Sequence, residues 1–323
     1  MSQHNSRFRV QVVVAFALVY LLWGSTYLGI RIVVEHVPSV VMSAVRFTSA
    51  GALMLVCCAL CGKRVRVTRQ EFVRLTVIGI LLLAIGNVLL GISETYISSG
   101  LAALLLAITP LWFLLLERIT LRSERITARA MTGILLGLLG VIVLLWPSLR
   151  VGLRLGQREL LGAGLVLINS ITWASGSIVS KRWRMDIDPY IASAWEMLMA
   201  GIVDVLIALP FGKFGEAHWN RSSVAAIGYL VIFGSLLGFT AYIWLLHNVV
   251  LSKVTTYAYV NPIVAVFLGW LVLREPITSY ILAGSVIVVI SVILVTGAKR
   301  SPEMPPPEPE ALPTLVGAKT AAD

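Results

Sequence analysis

The sequence predicts an all-α integral membrane protein with ten transmembrane helices, arranged as two inverted repeats of five helices each. Three observations support this prediction. The composition is strongly apolar, with 58% hydrophobic residues, 13% charged residues and a mean hydropathy of +0.89, far outside the range of soluble domains. Ten long apolar runs are separated by short charged connectors. The second half of the chain repeats landmarks of the first half at an offset near 150 residues.

Each apolar run is long enough to cross a bilayer as a helix. A hydrocarbon core of about 30 Å takes roughly 20 helical residues. Transmembrane β-strands are excluded, because they are segments of about ten alternating residues and these runs are twice as long. In chain order the runs cover approximately 12–33, 39–60, 75–93, 98–116, 129–146, 159–179, 189–209, 224–245, 254–273 and 279–297. The first run has no A-x-A cleavage site and contains Tyr20, Trp23 and Tyr27, so we expect it to remain as a helix.

Basic residues predict that both termini face the cytoplasm. With a cytoplasmic N-terminus, 18 Lys and Arg residues fall in inner segments and 7 in outer segments, with Arg46 inside a helix. This asymmetry follows the positive-inside rule and accounts for the net charge of +10 without nucleic-acid binding. Its weakest point is the outer connector that holds Arg150, Arg154 and Arg158.

The cysteines and the C-terminal tail predict no chemistry of their own. Cys57, Cys58 and Cys61 lie near the cytoplasmic end of the second run with no histidine nearby, so we expect no metal site and no cofactor. From Ser301 onward the chain is rich in proline and has no apolar periodicity. This composition predicts a disordered cytoplasmic tail over 301–323.

The internal repeat divides the chain into two units, 1–150 and 151–300. An odd number of crossings in each unit forces the second copy to enter the membrane upside down. The motif E-x-I-T, followed by a glycine six residues later, occurs once in each unit. The matched positions are Trp23 with Trp173, Pro38 beside Pro189, Ala50–Gly51 with Ala200–Gly201, Pro110 near Pro262, and Glu124-x-Ile126-Thr127 with Glu275-x-Ile277-Thr278.

Polar and aromatic side chains at helical spacing predict a hydrated cavity, because a surface that faces lipid is uniformly aliphatic. For the aromatic side chains, ordinary packing between helices is the alternative. The predicted substrate contacts lie on the first, third, sixth, eighth and ninth runs and comprise Tyr20, Trp23, Tyr27, Asn87, Glu94, Asn169, Trp173, Tyr242, Tyr257 and Asn261.

Two charged residues are predicted to lie at depth. Arg46 and Glu196 occupy equivalent positions in the two repeats, each about 10 Å from the start of its helix at 1.5 Å per residue. An uncompensated charge there costs roughly 2.5–3.5 kcal/mol. Structural ion pairs or carbonyl contacts and a role in substrate binding or gating are both open. Asp204 and Glu117 lie nearer helix ends, so we expect them to reach toward water.

Pro110 and Pro262 lie well inside the fourth and ninth runs. Each proline removes a backbone hydrogen bond and weakens the preceding turn. Interrupted helices at matching positions of two repeats indicate a transporter's midplane site. We predict that both prolines are hinges, with static kinks as the alternative.

Several stretches resemble the EamA-type family of the drug/metabolite transporter superfamily, especially its YedA-like bacterial inner-membrane members. They are "LLWGSTYLGIRI" at 21–32, "SAVRF" at 43–47, "TTYAYVNPIVAVFLG" at 255–269 and "REPIT" at 274–278. The resemblance implies a ten-helix inverted-repeat carrier of amino acids, other metabolites or amphipathic compounds. The first E-x-I-T copy departs from the family pattern, with Arg125 where Pro276 stands.

The sequence favours a secondary transporter over an enzyme, and we expect it to export its substrate by alternating access. It contains no G-x-x-x-x-G-K-[ST] phosphate loop and no H-E-x-x-H pair, and its four histidines lie at helix ends or in connectors. We expect no catalytic residue. A lipid scramblase and a non-transporting membrane protein are the alternatives. The expected partners are the lipid bilayer and a small zwitterionic or weakly cationic substrate with an apolar part; the oligomeric state is open.

Overall fold

The computed structural model describes residues 2–121, 127–150, 156–183, 185–254 and 256–296. Within these ranges all regular structure is helical and no residue lies in a strand. Two π-helical segments, Ile80–Ala84 and Leu230–Phe239, and a short 3-10 helix, Lys213–Glu216, accompany the α-helices. The α-helices are α1 (Ser2–Val34), α2 (Ser39–Leu60), α3 (Arg69–Gly79), α4 (Ile85–Glu94), α5 (Ser99–Leu106), α6 (Thr109–Leu121), α7 (Ala128–Arg150), α8 (Gln157–Arg182), α9 (Pro189–Ala208), α10 (Arg221–Tyr229), α11 (Thr240–Asn248), α12 (Leu251–Val254), α13 (Tyr257–Leu273) and α14 (Ser279–Thr296).

Seven segments of the described chain are long and apolar enough to cross a membrane. Three shorter apolar helices, Met131–Pro147, Val260–Leu273 and Ser279–Leu294, fall on the fifth, ninth and tenth predicted runs. The all-helical class with apolar spans is therefore confirmed, and the count of ten crossings stays a prediction. The seven long segments are Phe8–Val34, Ser39–Leu60, Arg69–Glu94, Ser99–Leu116, Gln157–Arg182, Pro189–Ala208 and Arg221–Asn248.

The third and eighth spans each contain a π-helical segment at corresponding places in the two halves. Ile80–Ala84 joins α3 to α4, and Leu230–Phe239 joins α10 to α11. A π-helical turn widens the helix, shifts its hydrogen-bond ladder and is frequent at functional sites. Neither segment contains a proline that would indicate an irregular turn. Apolar periodicity alone did not predict these changes of helix geometry.

The fourth and ninth spans are interrupted, but not at identical positions. The break between α5 and α6 comes directly before Pro110, which is the second residue of α6. Proline is well tolerated in the first turn of a helix. Pro262 lies inside α13, more than one turn after the break that follows Val254. α13 continues through Pro262 without interruption, so the structure differs at the two prolines, and a hinge at either of them stays a prediction.

The helices α2 and α9 approach each other closely through glycines at equivalent positions. A Cβ atom at Gly51 would lie 2.7 Å from Cα of Leu198. A Cβ atom at Gly201 would overlap the backbone nitrogen of Thr48. Small residues allow such close backbone contact between helices in a membrane. One helix from each half thus packs against the other at positions that the repeat matches.

Two connectors on the predicted cytoplasmic side supply residues that cap the N-terminus of the following helix. Before α3, Thr68 Oγ1 accepts from the Glu71 backbone nitrogen at 3.3 Å and the Glu71 carboxylate accepts from the Thr68 backbone nitrogen at 2.7 Å. Before α9, Asp188 accepts from the Tyr190 backbone nitrogen at 2.9 Å and pairs with Lys63 at 2.6 Å. Burial raises the pKa of Asp188, but the hydrogen bonds from Lys63 and Tyr190 leave it below its ordinary value.

The second E-x-I-T copy forms two helix caps at once. The Glu275 carboxylate accepts from the Ser99 backbone nitrogen and hydroxyl, both at 2.9 Å, and from the Gly100 backbone nitrogen at 3.2 Å. It therefore caps α5, a helix of the other half of the chain. Thr278 Oγ1 accepts a hydrogen bond from the first turn of its own helix, α14, at 3.2 Å. The motif thus caps α14, which follows it in the chain, and α5, which belongs to the other repeat.

The expectation for Asp204 was wrong. Its side chain is 1% exposed and accepts a hydrogen bond from the Ser43 hydroxyl at 2.5 Å. The partner belongs to α2, a neighbouring helix, so the carboxyl group is satisfied inside the bundle and does not need to reach water. The side chain of Glu117, the motif residue Glu124 and the tail over 301–323 lie outside the described residues.

Candidate functional site

A cavity lies between the two halves of the chain. Its volume is about 630 Å³, which includes the part that is open to solvent. Its walls come from α1, α2, α4, α5, α6, α8, α13 and both π-helical segments. The lining residues are Trp23, Thr26, Tyr27, Ile30, Arg46, Phe47, Leu83, Gly86, Asn87, Leu90, Leu106, Thr109, Asn169, Trp173, Gly234, Phe239, Tyr257 and Asn261.

Four aromatic rings form a cluster at one side of the cavity. The ring of Trp23 lies 4.9 Å from Tyr242, 5.3 Å from Trp173 and 5.6 Å from Tyr257, measured between centroids. The contacts with Trp173 and Tyr257 are edge-to-face, which suits the quadrupoles of aromatic rings. Tyr242 is fully buried and shares a hydrogen bond of 2.7 Å with the Ser177 hydroxyl. Three of the rings, those of Trp23, Trp173 and Tyr257, therefore form an aromatic part of the cavity wall.

The second π-helical segment positions the Trp23 ring. The Trp23 indole nitrogen donates to the Gly234 carbonyl at 3.1 Å. A Cβ atom at Gly238 would lie 2.6 Å from the same nitrogen, so the absence of a side chain there makes room for the indole. The indole nitrogen of Trp173 is also buried, and it lies near the hydroxyl groups of Tyr242 and Tyr257.

Arg46 lines the cavity and is held by neutral side chains. Its Nε donates to the Ser235 hydroxyl at 2.9 Å, and its Nη1 donates to the Asn87 amide oxygen at 3.0 Å. The guanidinium carbon lies 4.9 Å from the Phe47 ring centroid. A Cβ atom at Gly234 would lie 2.8 Å from Nη2. These contacts hold the cation in one position beside the cavity.

Two further asparagines complete the polar part of the wall. With its amide nitrogen turned toward the backbone, Asn261 donates to the Tyr20 carbonyl at 3.1 Å and to the Tyr257 carbonyl at 3.3 Å. Asn169 is 3% exposed, and its amide oxygen would lie 2.9 Å from a Cβ atom at Gly86. The described wall combines apolar rings, amides and one guanidinium, and contains no carboxylate.

Comparison with known proteins identifies the family. The EamA-like transporter family matches residues 11–146 and again residues 160–297. The chain belongs to this family. It is 37% identical over 286 residues to a protein of Escherichia coli (strain K12) named "Uncharacterized inner membrane transporter YedA", covering 88% of this chain and 90% of that protein. The "Uncharacterized transporter YoaV" of Bacillus subtilis (strain 168) is 23% identical over 288 residues, covering 89% of this chain and 97% of YoaV.

A solved crystal structure shares the fold. It superimposes with a TM-score of 0.65 at 20% sequence identity and covers 89% of this chain and 96% of the other. The two family matches agree with the internal repeat, and the resemblance seen in the sequence motifs is confirmed. This EamA-like chain is therefore a membrane protein of a transporter family, and both relatives described above are named as transporters.

Most of the predicted contact residues of this EamA-like protein meet at the cavity. Seven of the ten line it: Trp23, Tyr27, Asn87, Asn169, Trp173, Tyr257 and Asn261. Tyr242 packs behind the wall against Trp23. Tyr20 lies beside the helix break, where its hydroxyl shares a hydrogen bond of 2.6 Å with Thr256. Contact of any of these residues with a substrate stays a prediction.

Two acidic residues from the sequence analysis, Glu94 and Glu196, are not among the residues that line the cavity. Glu94 is fully buried, and neither of its carboxyl oxygens has a hydrogen-bond partner among the described residues. Glu196 is 1% exposed, and its Oε2 likewise has no described partner. Glu196 therefore differs from its repeat counterpart Arg46, which lines the cavity. No ion pair joins the two among the described residues.

Sequence reasoning missed the smaller and aliphatic wall residues. Thr26 and Ile30 lie three and seven positions after Trp23, on the same helical face. Leu90 follows Asn87 by three positions. Helical spacing from the predicted residues was the signal that could have found them. Gly234 carried no such signal, because the π-helical segment changes the periodicity there.

Proposed function

We propose that this protein is a secondary transporter that moves a small metabolite across the bacterial inner membrane by alternating access, with export as its direction. The main support is the cavity, which both repeats wall with aromatic, amide and guanidinium side chains. A concave site with apolar walls and a few convergent polar groups is typical of small-molecule binding. The inner-membrane location of YedA supports the same cellular location for this chain.

The proposed topology has ten crossings, with both termini in the cytoplasm and the second repeat inverted. The distribution of Lys and Arg between connectors supports this orientation. The two family matches support the division into units near 1–150 and 151–300. An inverted repeat lets one half adopt on one side of the membrane the packing that the other half adopts on the opposite side.

The helix interruptions are the proposed moving parts. Leu106 and Thr109 flank the break between α5 and α6, and Tyr257 follows the break between α12 and α13. All three line the cavity, so bending at either break would change the shape of the wall. We assign Pro110 and Pro262 as the hinge residues on this ground.

The proposed substrates are amino acids or other amphipathic metabolites of similar size. Trp23, Trp173 and Tyr257 offer ring faces and edges to an apolar part. Asn169 and Asn261 offer amide groups to neutral polar atoms. The sequence contains no phosphate loop, so we propose that the substrate is carried either passively or together with protons.

Reconstitution into liposomes tests the proposal. Purified protein should catalyse saturable flux of at least one metabolite from a panel of amino acids and amphipathic compounds, measured with and without an imposed pH gradient. Trp23→Ala, Trp173→Ala and Asn261→Leu should each impair this flux while protein yield stays near wild type. Trp219→Ala is the matched control, because Trp219 is 40% exposed and lies outside the wall.

The same liposomes distinguish the alternative. A fluorescent phospholipid reports lipid translocation, which the proposal expects to be absent. Lipid translocation without solute flux would contradict the proposed transport of solutes and indicate a lipid scramblase. Normal solute flux in all three wall variants would show that the substrate does not pass through this cavity.

A further inference from the structure

We propose that Arg46 is the anion-binding group of the cavity, and that the transported molecule carries one carboxylate next to an aromatic or aliphatic part. This inference rests on the proposed transport function and names its substrate class. Arg46 is 5% exposed and lines the cavity. No described Asp or Glu lies within 4.0 Å of its guanidinium nitrogens. A buried cation without a counter-ion is unfavourable, and a bound carboxylate would relieve this.

The guanidinium keeps donors free for a ligand. Nε and Nη1 each donate one hydrogen bond, to Ser235 and to Asn87. A guanidinium has five N–H groups, so one N–H of Nη1 and both of Nη2 have no partner among the described residues. Two adjacent N–H groups in one plane match the two oxygens of a carboxylate. Both existing partners are neutral oxygens, so they orient the cation without neutralising it.

The anion site and the aromatic cluster meet at one residue. Gly234 lies against Arg46 Nη2, since a Cβ atom there would be 2.8 Å from that nitrogen. The Gly234 carbonyl accepts the indole N–H of Trp23 at 3.1 Å. A carboxylate bound at Nη2 would therefore leave the rest of the molecule close to the Trp23 ring. The wall thus fits a molecule in which an apolar group lies a few bonds from the carboxylate.

The number of cations in the wall limits the charge of the ligand. Arg46 is the one Lys or Arg among the wall residues that the structure describes. A phosphate monoester carries nearly two negative charges at neutral pH, so one of them would stay unneutralised in a poorly solvated site. A single carboxylate balances the single guanidinium. An additional ammonium on the ligand can lie over the aromatic rings.

Arg46 also joins α2 to α4 and to the second π-helical segment through Asn87 and Ser235. If the role of Arg46 were purely structural, its substitution would change the stability of the protein without changing which ligands the protein prefers. The test therefore compares each acid with its own amide, which has the same shape and no negative charge. The ratio of the two affinities reports the anion site, and the melting temperature reports the structural bonds.

Binding to the purified full-length protein is measured by calorimetry. The probes are 3-phenylpropionate with 3-phenylpropionamide, L-leucine with L-leucinamide, and phenyl phosphate. Wild type should bind each acid at least about ten-fold more tightly than its amide. Arg46→Gln should abolish this preference by weakening acid binding more than amide binding, and Arg46→Lys should retain part of it. Arg31→Gln is the control, because Arg31 pairs with Glu35 and lies outside the wall.

Equal binding of acid and amide to wild type would overturn the inference without any variant, so a failure of Arg46→Gln to fold leaves the test decisive. Retained acid preference in a folded Arg46→Gln protein would overturn it too, as would tightest binding of phenyl phosphate. Wild type that binds none of the five probes would refute the carboxylate class. Saturable flux of other solutes in the liposome panel would then still support the transport function.

Discussion

Removing the Glu275 carboxylate should loosen the start of α5 on the predicted outer face. The carboxylate accepts from two backbone nitrogens, those of Ser99 and Gly100, and from the Ser99 hydroxyl. Hydrogen bonds to a charged group contribute roughly 1.5–3 kcal/mol each. Glu275 is half-buried, so water replaces part of what is lost. We expect Glu275→Gln to reduce the free energy of unfolding by about 1–3 kcal/mol.

Thermal unfolding in detergent measures this effect as a change in Tm. For a large domain, 1 kcal/mol corresponds to about 2 °C, so Glu275→Gln should lower Tm by about 2–6 °C. Gly269→Ala offers an independent route to the same cap, because a Cβ atom there would displace the Glu275 Oε2 atom. The loss of stability in the double variant should be smaller than the sum of the losses in the two single variants, because both substitutions remove the same interaction.

Glu216→Gln is the control for Glu275→Gln. Glu216 pairs with Lys213 at 2.8 Å on the surface, with half of its side chain exposed, and such pairs contribute about 0.2–1 kcal/mol. Equal Tm values for Glu275→Gln and wild type would show that water caps α5 as well as the carboxylate does. Full additivity with Gly269→Ala would show that the glycine acts elsewhere.

Three further predictions concern hinges, topology and a cytoplasmic cap. Pro110→Ala and Pro262→Ala restore a backbone donor and should slow turnover more than they weaken binding; unchanged turnover in both would leave the prolines as packing kinks. Reporter cysteines at Ser222 and Ser279 should react with an impermeant reagent from outside the cell, and labelling from the cytoplasm alone would refute the inverted topology. Asp188→Ala should lower stability by about 1 kcal/mol through loss of the α9 cap, more than Asp188→Asn. Folding lowers the pKa of Asp188 below its ordinary value of 3.8. The stabilisation by this carboxylate should therefore be fully present above pH 3.8 and be lost as the pH falls through the lowered pKa. Unfolding at a series of pH values measures this dependence.

The spans and the pairing of the halves could be predicted because each depends on local or periodic signals. Run length and apolarity identify a span, and a constant offset matches Trp23 with Trp173. The structure then shows their ring centroids 5.3 Å apart. The offset also aligned Gly51 with Gly201, and the structure shows each against the other's helix. These features needed no knowledge of which side chains meet across helices.

The rest depended on contacts between distant residues. Asp204 looked like a residue near a helix end, and only its bond from Ser43 of a neighbouring helix explains its burial. Arg46 and Glu196 looked equivalent by symmetry, yet only Arg46 lines the cavity that the structure describes. The sequence of Leu230–Phe239 contains no pattern that predicts a π-helix.

The cap that Glu275 provides to α5 has a consequence for how the chain could be divided. Ser99 and Gly100 belong to the first half, whereas the carboxylate that satisfies their backbone nitrogens comes from the end of the second half. A polypeptide cut between α7 and α8 would leave these donors without their acceptor until the missing fragment returned. The two fragments should therefore reassemble in one membrane as a complementing pair, with neither surviving well when produced alone.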